Sequence, residues 1–397
     1  MEKIIRLIEE IAIEQISYIE KHGYAQPGNN GPYNDLDTPV RNTAHWIMNY
    51  SMLSKLTNKD FTRIITILAN YLVDVQNKSS SGAIECRNRK NENHINGLIG
   101  QAWVIEALVE AYALSNNHNY LNTAISIYKS QKYDYSQGLW VMVDIDNQVF
   151  GYDYAYNHNS WFAYVGSKII EYINDSEIEA QITDFLQDKK RHFRVYGNGR
   201  IKHYINIPFK EQNKFRFKCM KFKEFITEKY FDFKAYICND DVRGRKYAYE
   251  DGYDLFDLYS LVYLYKKFPN AKIFQTNKFE RSIKYGLDIV NLSEKLYNKT
   301  TKNINDYGYP YNSPAFEYPF IEYMLTGKID EKMCEYLFNI QIEITYDSNR
   351  KTFSKGTNDG LTLTARMYEL LNALLLEKNK RFSFRESIKN QEDSYVK

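Results

Sequence analysis

The 397-residue sequence predicts an all-α chain: one (α/α)6 toroid of six αα-hairpins, with inner and outer helix rings and a small β-hairpin insertion. Three observations predict it. Twelve helical segments follow one another between residue 2 and about residue 377, so neighbours pair as hairpins. The even-numbered segments open with polar and aromatic residues, which the odd ones lack. These heads lie near 38, 93, 156, 250, 311 and 358, a spacing of roughly 45 to 63 residues, stretched to about 94 at one place. Finally, no hairpin carries a convincing polar cap, so the array closes on itself rather than ending as an open solenoid.

The stretch Asn93 to Leu114 shows the even type best. Apolar Ile95, Leu98, Ile99, Ala102, Ile105, Val109 and Tyr112 follow the helical period, while Gly97, Gly100, Ala107, Ala111 and Ala113 keep the surface small for close packing. Such a helix is surrounded by others. Its head holds Asn93, His94 and Asn96, then Gln101, Trp103 and Glu106, where the unpaired N–H groups of a helix start favour a polar or anionic ligand.

In chain order, the first helix (about 2–22) stops at Gly23. A Gly, Asn and Pro-rich loop brings Tyr33, Asp35 and Asp37 to the second helix, whose predicted start is Asp37-Thr38-Pro39 and which carries Arg41, His45 and Trp46. The third covers about 59–75; Glu85 and Arg87 then precede the Asn93 helix. A fifth helix (about 120–130) and a hairpin at 138–146 lead to the Tyr156-Asn157-His158-Asn159-Ser160-Trp161 head. A seventh helix (about 176–187) precedes an insertion at about 191–240. This insertion opens with a predicted hairpin, 194–208, and between Lys189 and Lys223 carries twelve Lys/Arg against the single acid Glu211. The eighth helix starts near Tyr249-Glu250-Asp251-Gly252-Tyr253, the ninth covers about 277–290, the tenth opens at 309–317, the eleventh covers about 331–341 and the twelfth starts at Asn358-Asp359-Gly360. The toroid spans 1–377 as a single domain; 378–397 is a polar tail.

Composition excludes more than it assigns. A net charge of +2 with 26% charged residues gives no reason to expect nucleic acid. Cys86, Cys219, Cys238 and Cys334 are scattered without metal-ligand spacing, so buried thiols are expected, with no metal and no cofactor. The N-terminus alternates charge and apolarity unlike a signal peptide, and no uninterrupted apolar run of bilayer length is evident, so a cytoplasmic protein is expected. The 36 Tyr and 22 Phe offer ring faces suited to stacking on sugars.

Asp37-Thr-Pro-Val-Arg-Asn-Thr-Ala-His-Trp, Asn96-Gly-Leu-Ile-Gly-Gln-Ala-Trp, Asn157-His-Asn-Ser-Trp-Phe, Gly252-Tyr-Asp-Leu-Phe-Asp-Leu-Tyr, Tyr311-Asn-Ser-Pro-Ala-Phe-Glu and Leu363-Thr-Ala-Arg-Met-Tyr-Glu together resemble the six-hairpin glycosidase-like superfamily. More narrowly they are similar to proteins of archaeal N-glycosylation and bacterial surface-polysaccharide gene clusters. The resemblance covers about residues 30–375. It implies a carbohydrate substrate bound where the inner-helix heads meet, without naming a reaction.

On that rim, Trp46, Trp103, Trp161, Tyr253 and Tyr311 are candidates for stacking on sugar rings, each alternatively a helix-packing residue. Arg41 and Arg87 suit a carboxylate clamp, or alternatively hold Asp37 and Glu85. Asn96, Gln101, Asn157 and Asn312 are hydroxyl binders. His45, His94 and His158 lie in the first turns of three inner helices, where an imidazole suits proton transfer beside a carboxylate or ring oxygen. Hydrolysis needs two facing carboxylates; candidates are Asp35 or Asp37, Glu85, Glu250 or Asp251, Asp359 and, first among them, Glu317. Epimerisation would instead pass a proton between Tyr311 and His158 or His94, with Arg41 or Asn312 on the carboxylate.

The expected activity is therefore epimerisation or isomerisation of a uronate-containing or acidic sugar in glycan biosynthesis. Alternatives are a glycoside hydrolase or uronate lyase, and a non-catalytic glycan-binding or assembly factor. The basic aromatic run at 209–235 suits either a membrane surface, which would bring a lipid-linked glycan within reach, or a solvated flap edge.

Overall fold

The computed structural model of the chain describes residues 1–35, 37–89, 92–206 and 246–380. Most of the insertion, including the 209–235 run, Cys219 and Cys238, lies outside the described residues, as does the tail beyond 380. The described Cys86 and Cys334 are buried free thiols.

The helices are α1 (Glu2–His22), α2 (Val40–Thr57), α3 (Thr62–Gln76), α4 (Gly97–Ser115), α5 (His118–Ser130), α6 (Tyr156–Ile169), α7 (Ser176–Leu186), α8 (Lys246–Lys267), α9 (Asn277–Leu287), α10 (Ile289–Leu296), α11 (Pro314–Thr326), α12 (Glu331–Thr345) and α13 (Gly360–Ala365), followed at once by helical residues 368–380. Along the inner ring α2 packs on α4, α4 on α6, α6 on α8 and α8 on α11, and α13 returns to α2. The α11–α13 join is polar: Arg366 donates to Asn312 Oδ1 at 2.7 Å and to Glu317 Oε1 at 2.6 Å. The outer helices lean on this ring with one face. In α1 that face is Ile4, Ile8, Ile11, Ala12 and Ile19.

Burial follows composition. Helix α4 is apolar around its whole circumference, and from Gly97 to Val109 every residue is buried. It is the one described helix long and apolar enough to cross a bilayer, contrary to the sequence expectation. Yet 78% of its apolar window is buried among other helices. Trp161 shows the packing: its indole is stacked on Phe256 at 5.1 Å and on Tyr259 at 5.2 Å. Burying one such ring stabilises the fold by roughly 1.5–3 kcal/mol.

Several boundaries differ from the sequence reading. The hairpin expected at 138–146 is the middle of a three-stranded antiparallel meander, β1 (Lys132–Asp134), β2 (Leu139–Val143) and β3 (Val149–Tyr152). In the described part of the hairpin expected at 194–208, Tyr196 N–H donates to Arg200 at 2.8 Å and Lys202 N–H to Arg194 at 2.9 Å around the Val195–Ile201 bridge, without a named strand. Asp37 does not cap α2. Its backbone bridges to Arg87 and its carboxylate pairs with Arg41 at 3.3 Å, while Pro39 takes the cap position. Helix α8 starts at Lys246, which puts Glu250 and Asp251 one turn inside it. The ninth predicted helix is two, broken at Asp288, whose ψ of 57° leaves the helical region.

Glu106 sits in the barrel interior, accepting hydrogen bonds from the Tyr164 hydroxyl at 2.6 Å and the Tyr368 hydroxyl at 3.4 Å. Burial pushes its carboxyl up to about 7, against the opposing bond from Tyr164. The folded state thus binds more protons than the unfolded chain between about pH 4.5 and 7, and stability falls as pH rises through that window. Glu106→Gln keeps an acceptor for Tyr164 and removes the titration. The variant is expected to match the parent near pH 4.5 and to exceed its stability above pH 7 by on the order of 3 kcal/mol. Chemical denaturation at pH 5 and pH 8 tests this; an unchanged pH slope would refute it.

Candidate functional site

The inner-helix heads and the loops between them enclose a cavity of about 270 Å³. Two tight backbone approaches shape it. In the loop before α2, Gly31 has φ +60°, its N–H donates to Asp359 Oδ2 at 2.8 Å, and a Cβ there would lie 2.1 Å from the Tyr311 ring. This seats Asn30 and Tyr33 on the cavity wall, against the α11 and α13 heads. At the start of α4, Asn96 (φ 56°) and Gly97 (φ +64°) are both left-handed. A Cβ on Gly97 would meet Asp153 Oδ2 at 2.4 Å and His158 Nδ1 at 3.1 Å.

Asp153 is the buried partner that organises this corner. Its Oδ2 accepts from Leu98 N–H at 3.0 Å and faces His158 Nδ1 at 2.8 Å, and its Oδ1 accepts from Ala155 N–H at 3.1 Å. Against the desolvation of burial, His158 and these N–H groups hold its carboxyl below the ordinary value. An ionised Asp153 makes Nδ1 the protonated nitrogen and leaves Nε2 of the part-exposed His158 free at the cavity.

The opposite charge is supplied by arginines. Arg41, 1% exposed, donates from Nη1 to Asn30 at 3.0 Å and lies 4.2 Å over the Trp103 ring. Its partner Asp37 is pushed up to about 6 by burial, with Arg41 opposing. Arg87 binds Glu92 at 2.9 Å and Arg89 binds it at 3.1 Å, and both approach Asp35 at 3.7 and 3.8 Å. Arg366 joins the Tyr311 carbonyl, Asn312, Glu317 and Glu369. Three buried donors on cavity-lining residues have no acceptor: Arg41 Nε, Trp103 Nε1 and Asn312 Nδ2. An unmade buried hydrogen bond costs about 1–3 kcal/mol, so this wall is built for a ligand that offers acceptors to these three donors and a donor to Asp35 Oδ2, which is also buried without a hydrogen bond.

Of the candidate site residues named from the sequence, Asp35, Arg41, Arg87, Asn96, Trp103, His158, Tyr253, Tyr311 and Asn312 line the cavity. The others do not. His45 is enclosed between Trp103 and Tyr368, where burial and the cations of Arg41 and Arg366 hold it neutral. His94 faces outward onto Asp144 at 2.9 Å. Gln101 clasps both backbone groups of Ile84, and Glu85 accepts from Thr38 through its carbonyl. Trp46 packs on Tyr50, and Trp161 stacks on α8 as described. Asn157, one position from His158, turns into the barrel beside Asp257. Glu250 accepts from Tyr196, Asp251 pairs with Arg200 at 2.7 Å, and Asp359 caps α13. Glu317 is fully buried beneath the cavity wall, held by Arg366.

Sequence reasoning missed Asn30, Arg89, Glu92, His203 and the role of Asp153. The signal for His203 was faint: one imidazole in Lys202-His203-Tyr204 of the predicted insertion. Arg366 stands in the Leu363-Thr-Ala-Arg-Met-Tyr-Glu motif, which by itself assigns it no role.

No family model matches the chain. Over 362 residues, 89% of this chain and 93% of the relative, it is 29% identical to archaeal glycosylation protein Q of Haloferax volcanii. Among solved structures, a D-mannose isomerase superposes with a TM-score of 0.60 at 13% identity, covering 95% of this chain and 97% of that one. An unsaturated glucuronyl hydrolase specific for heparin gives 0.58 at 11% identity (96% and 99% covered). An α-mannanase of Bacteroides thetaiotaomicron gives 0.53 at 13% (94% and 96%). The chain shares the (α/α)6 toroid fold of these structures. The alignments run nearly end to end on both sides, so the whole ring is shared. Among the described residues, the cavity is lined by inner-helix heads and the loops leading to them, with Arg366 added from the C-terminal end of α13.

Proposed function

We propose that this toroid is a carbohydrate-active enzyme of glycan biosynthesis that epimerises or isomerises a uronate-containing or otherwise acidic sugar. The observation that carries the reading is His158, aligned by a buried carboxylate, in one cavity with three donors that lack acceptors. His158 Nε2 takes the proton from the carbon beside a carbonyl or carboxylate. The C–H electron pair moves onto the adjoining oxygen as an enolate, which Arg41, Trp103 and Asn312 meet with N–H groups. A proton returned to carbon then completes the product. The likeness to a glycosylation protein and to sugar-handling enzymes supports a carbohydrate substrate.

Hydrolysis is less well supported. Of the carboxylates lining the described cavity, Glu92 is bound by Arg87 and Arg89, Asp35 lies 3.7 and 3.8 Å from the same two cations without a hydrogen bond to them, and Glu317 does not line it. The test is proton NMR in D₂O with a panel of uronate-containing oligosaccharides. Loss of one ring C–H signal by deuterium wash-in, without new reducing ends, is expected. New reducing ends with that proton retained would overturn the reading in favour of a hydrolase.

A further inference from the structure

A base at carbon needs a counterpart that gives the proton back, and His158 alone returns it to the face it came from. Glu92 is bound by Arg87, Asp35 lies 3.7 Å from the same cation, which favours its charged form over an acid, and Tyr311 has a long bond to Asn30 at 3.4 Å. A different group of cavity-lining residues is connected through its hydroxyls. His203 Nε2 is 2.8 Å from the Tyr249 hydroxyl, Tyr33 donates to that same oxygen at 3.4 Å, and Tyr33 meets the Tyr253 hydroxyl at 2.9 Å. The chain runs from the segment before α8, across the α8 head, to the loop before α2, and all four members line the cavity. The rings hold one another: His203 meets Tyr249 edge-on at 4.7 Å and Tyr253 at 5.0 Å.

From this geometry we infer that Tyr249 is the proton donor to carbon, its oxygen held by His203 and Tyr33. The inference rests on the carbon-acid reading above. Burial lowers the His203 imidazole to about 3, so it is neutral and carries one N–H. With that N–H on Nε2, the Tyr249 oxygen receives two donors and its own proton is left for the cavity. In the step, the Tyr249 O–H bond breaks and a C–H bond forms from the enolate electron pair. The phenolate is held by His203 and Tyr33 until solvent reprotonates it, and His158 releases the proton it took. Burial otherwise keeps Tyr249 a phenol, the form a donor needs.

The test is Tyr249→Phe on the full chain in D₂O with the same uronate panel. Wash-in at the substrate C–H is expected to continue within about tenfold of the parent, while epimerised product forms at least about 10²-fold more slowly. Continued wash-in also shows that the variant is folded. His158→Asn is expected to lose both signals. Product formation by Tyr249→Phe within threefold of the parent, or equal loss of wash-in and product, would overturn the assignment while leaving the carbon-acid reading intact. A parent protein that shows neither wash-in nor epimer with the panel would overturn both.

Discussion

His158→Asn is expected to slow turnover by about 10²–10⁴-fold, with little change in fold stability. The side chain is a quarter exposed and makes its one protein bond to Asp153, so asparagine fits the space and can still donate to that carboxylate. What it lacks is a basic nitrogen at the cavity. Asp153→Asn should reach a similar loss by another route. Leu98 and Ala155 both present N–H groups to Asp153, one to each oxygen. An amide has one acceptor oxygen, so either its NH₂ opposes Ala155 or it turns toward Leu98 and His158. The second arrangement forces the proton onto Nε2 and removes the base. Steady-state kinetics on whichever uronate the NMR panel selects would test both, and turnover within tenfold of the parent for His158→Asn would exclude it as the base.

The largest stability effect is expected at Arg366. Its guanidinium lies between Glu317 at 2.6 Å and Glu369 at 2.8 Å, and all three are essentially inaccessible. Desolvation raises both carboxyls above their ordinary values, and Arg366 opposes that rise. Removing one partner of a buried ion pair typically costs about 3–5 kcal/mol, because an uncompensated charge is left behind. Arg366→Met is expected to lose that much at pH 8. The sign with pH follows from the raised carboxyls: folded-state protonation relieves the charge, so the loss shrinks as pH falls toward 5. Denaturation at both pH values checks it; a loss below 1 kcal/mol, or one equal at both pH values, would refute the account. Glu317→Gln is milder by the same reasoning, since it keeps an oxygen for Arg366 and leaves Glu369 as the counter-ion.

The ring itself was legible without coordinates. The period of the apolar residues, the glycine stop at Gly23 and the six polar heads are local properties, and a local property needs no knowledge of distant neighbours. The α2 start was misread because Asp37 looks like a cap in sequence. Its real partners, Arg41 one turn later and the backbone of Arg87, belong to packing.

The site was legible only by head, not by residue. Successive residues on a helix point about 100° apart, so the rotation of each inner helix decides which side chain meets the cavity. Thus His158 faces it and Asn157 faces the barrel, and Trp103 lines it while Trp46 and Trp161 are packing residues. Loops add what no periodicity encodes: Asn30, Tyr33 and His203 reach the wall through segments whose path is set by Gly31 against Tyr311 and by the bridge from Tyr204 to Ala155. Sequence alone determined six hairpins, their order and the rim where the heads meet, because short-range pattern dictates helices and helices must bury their apolar faces. Tertiary structure decided that Asp153 aims His158 and which donors are left without partners, because those depend on contacts between residues far apart in the chain.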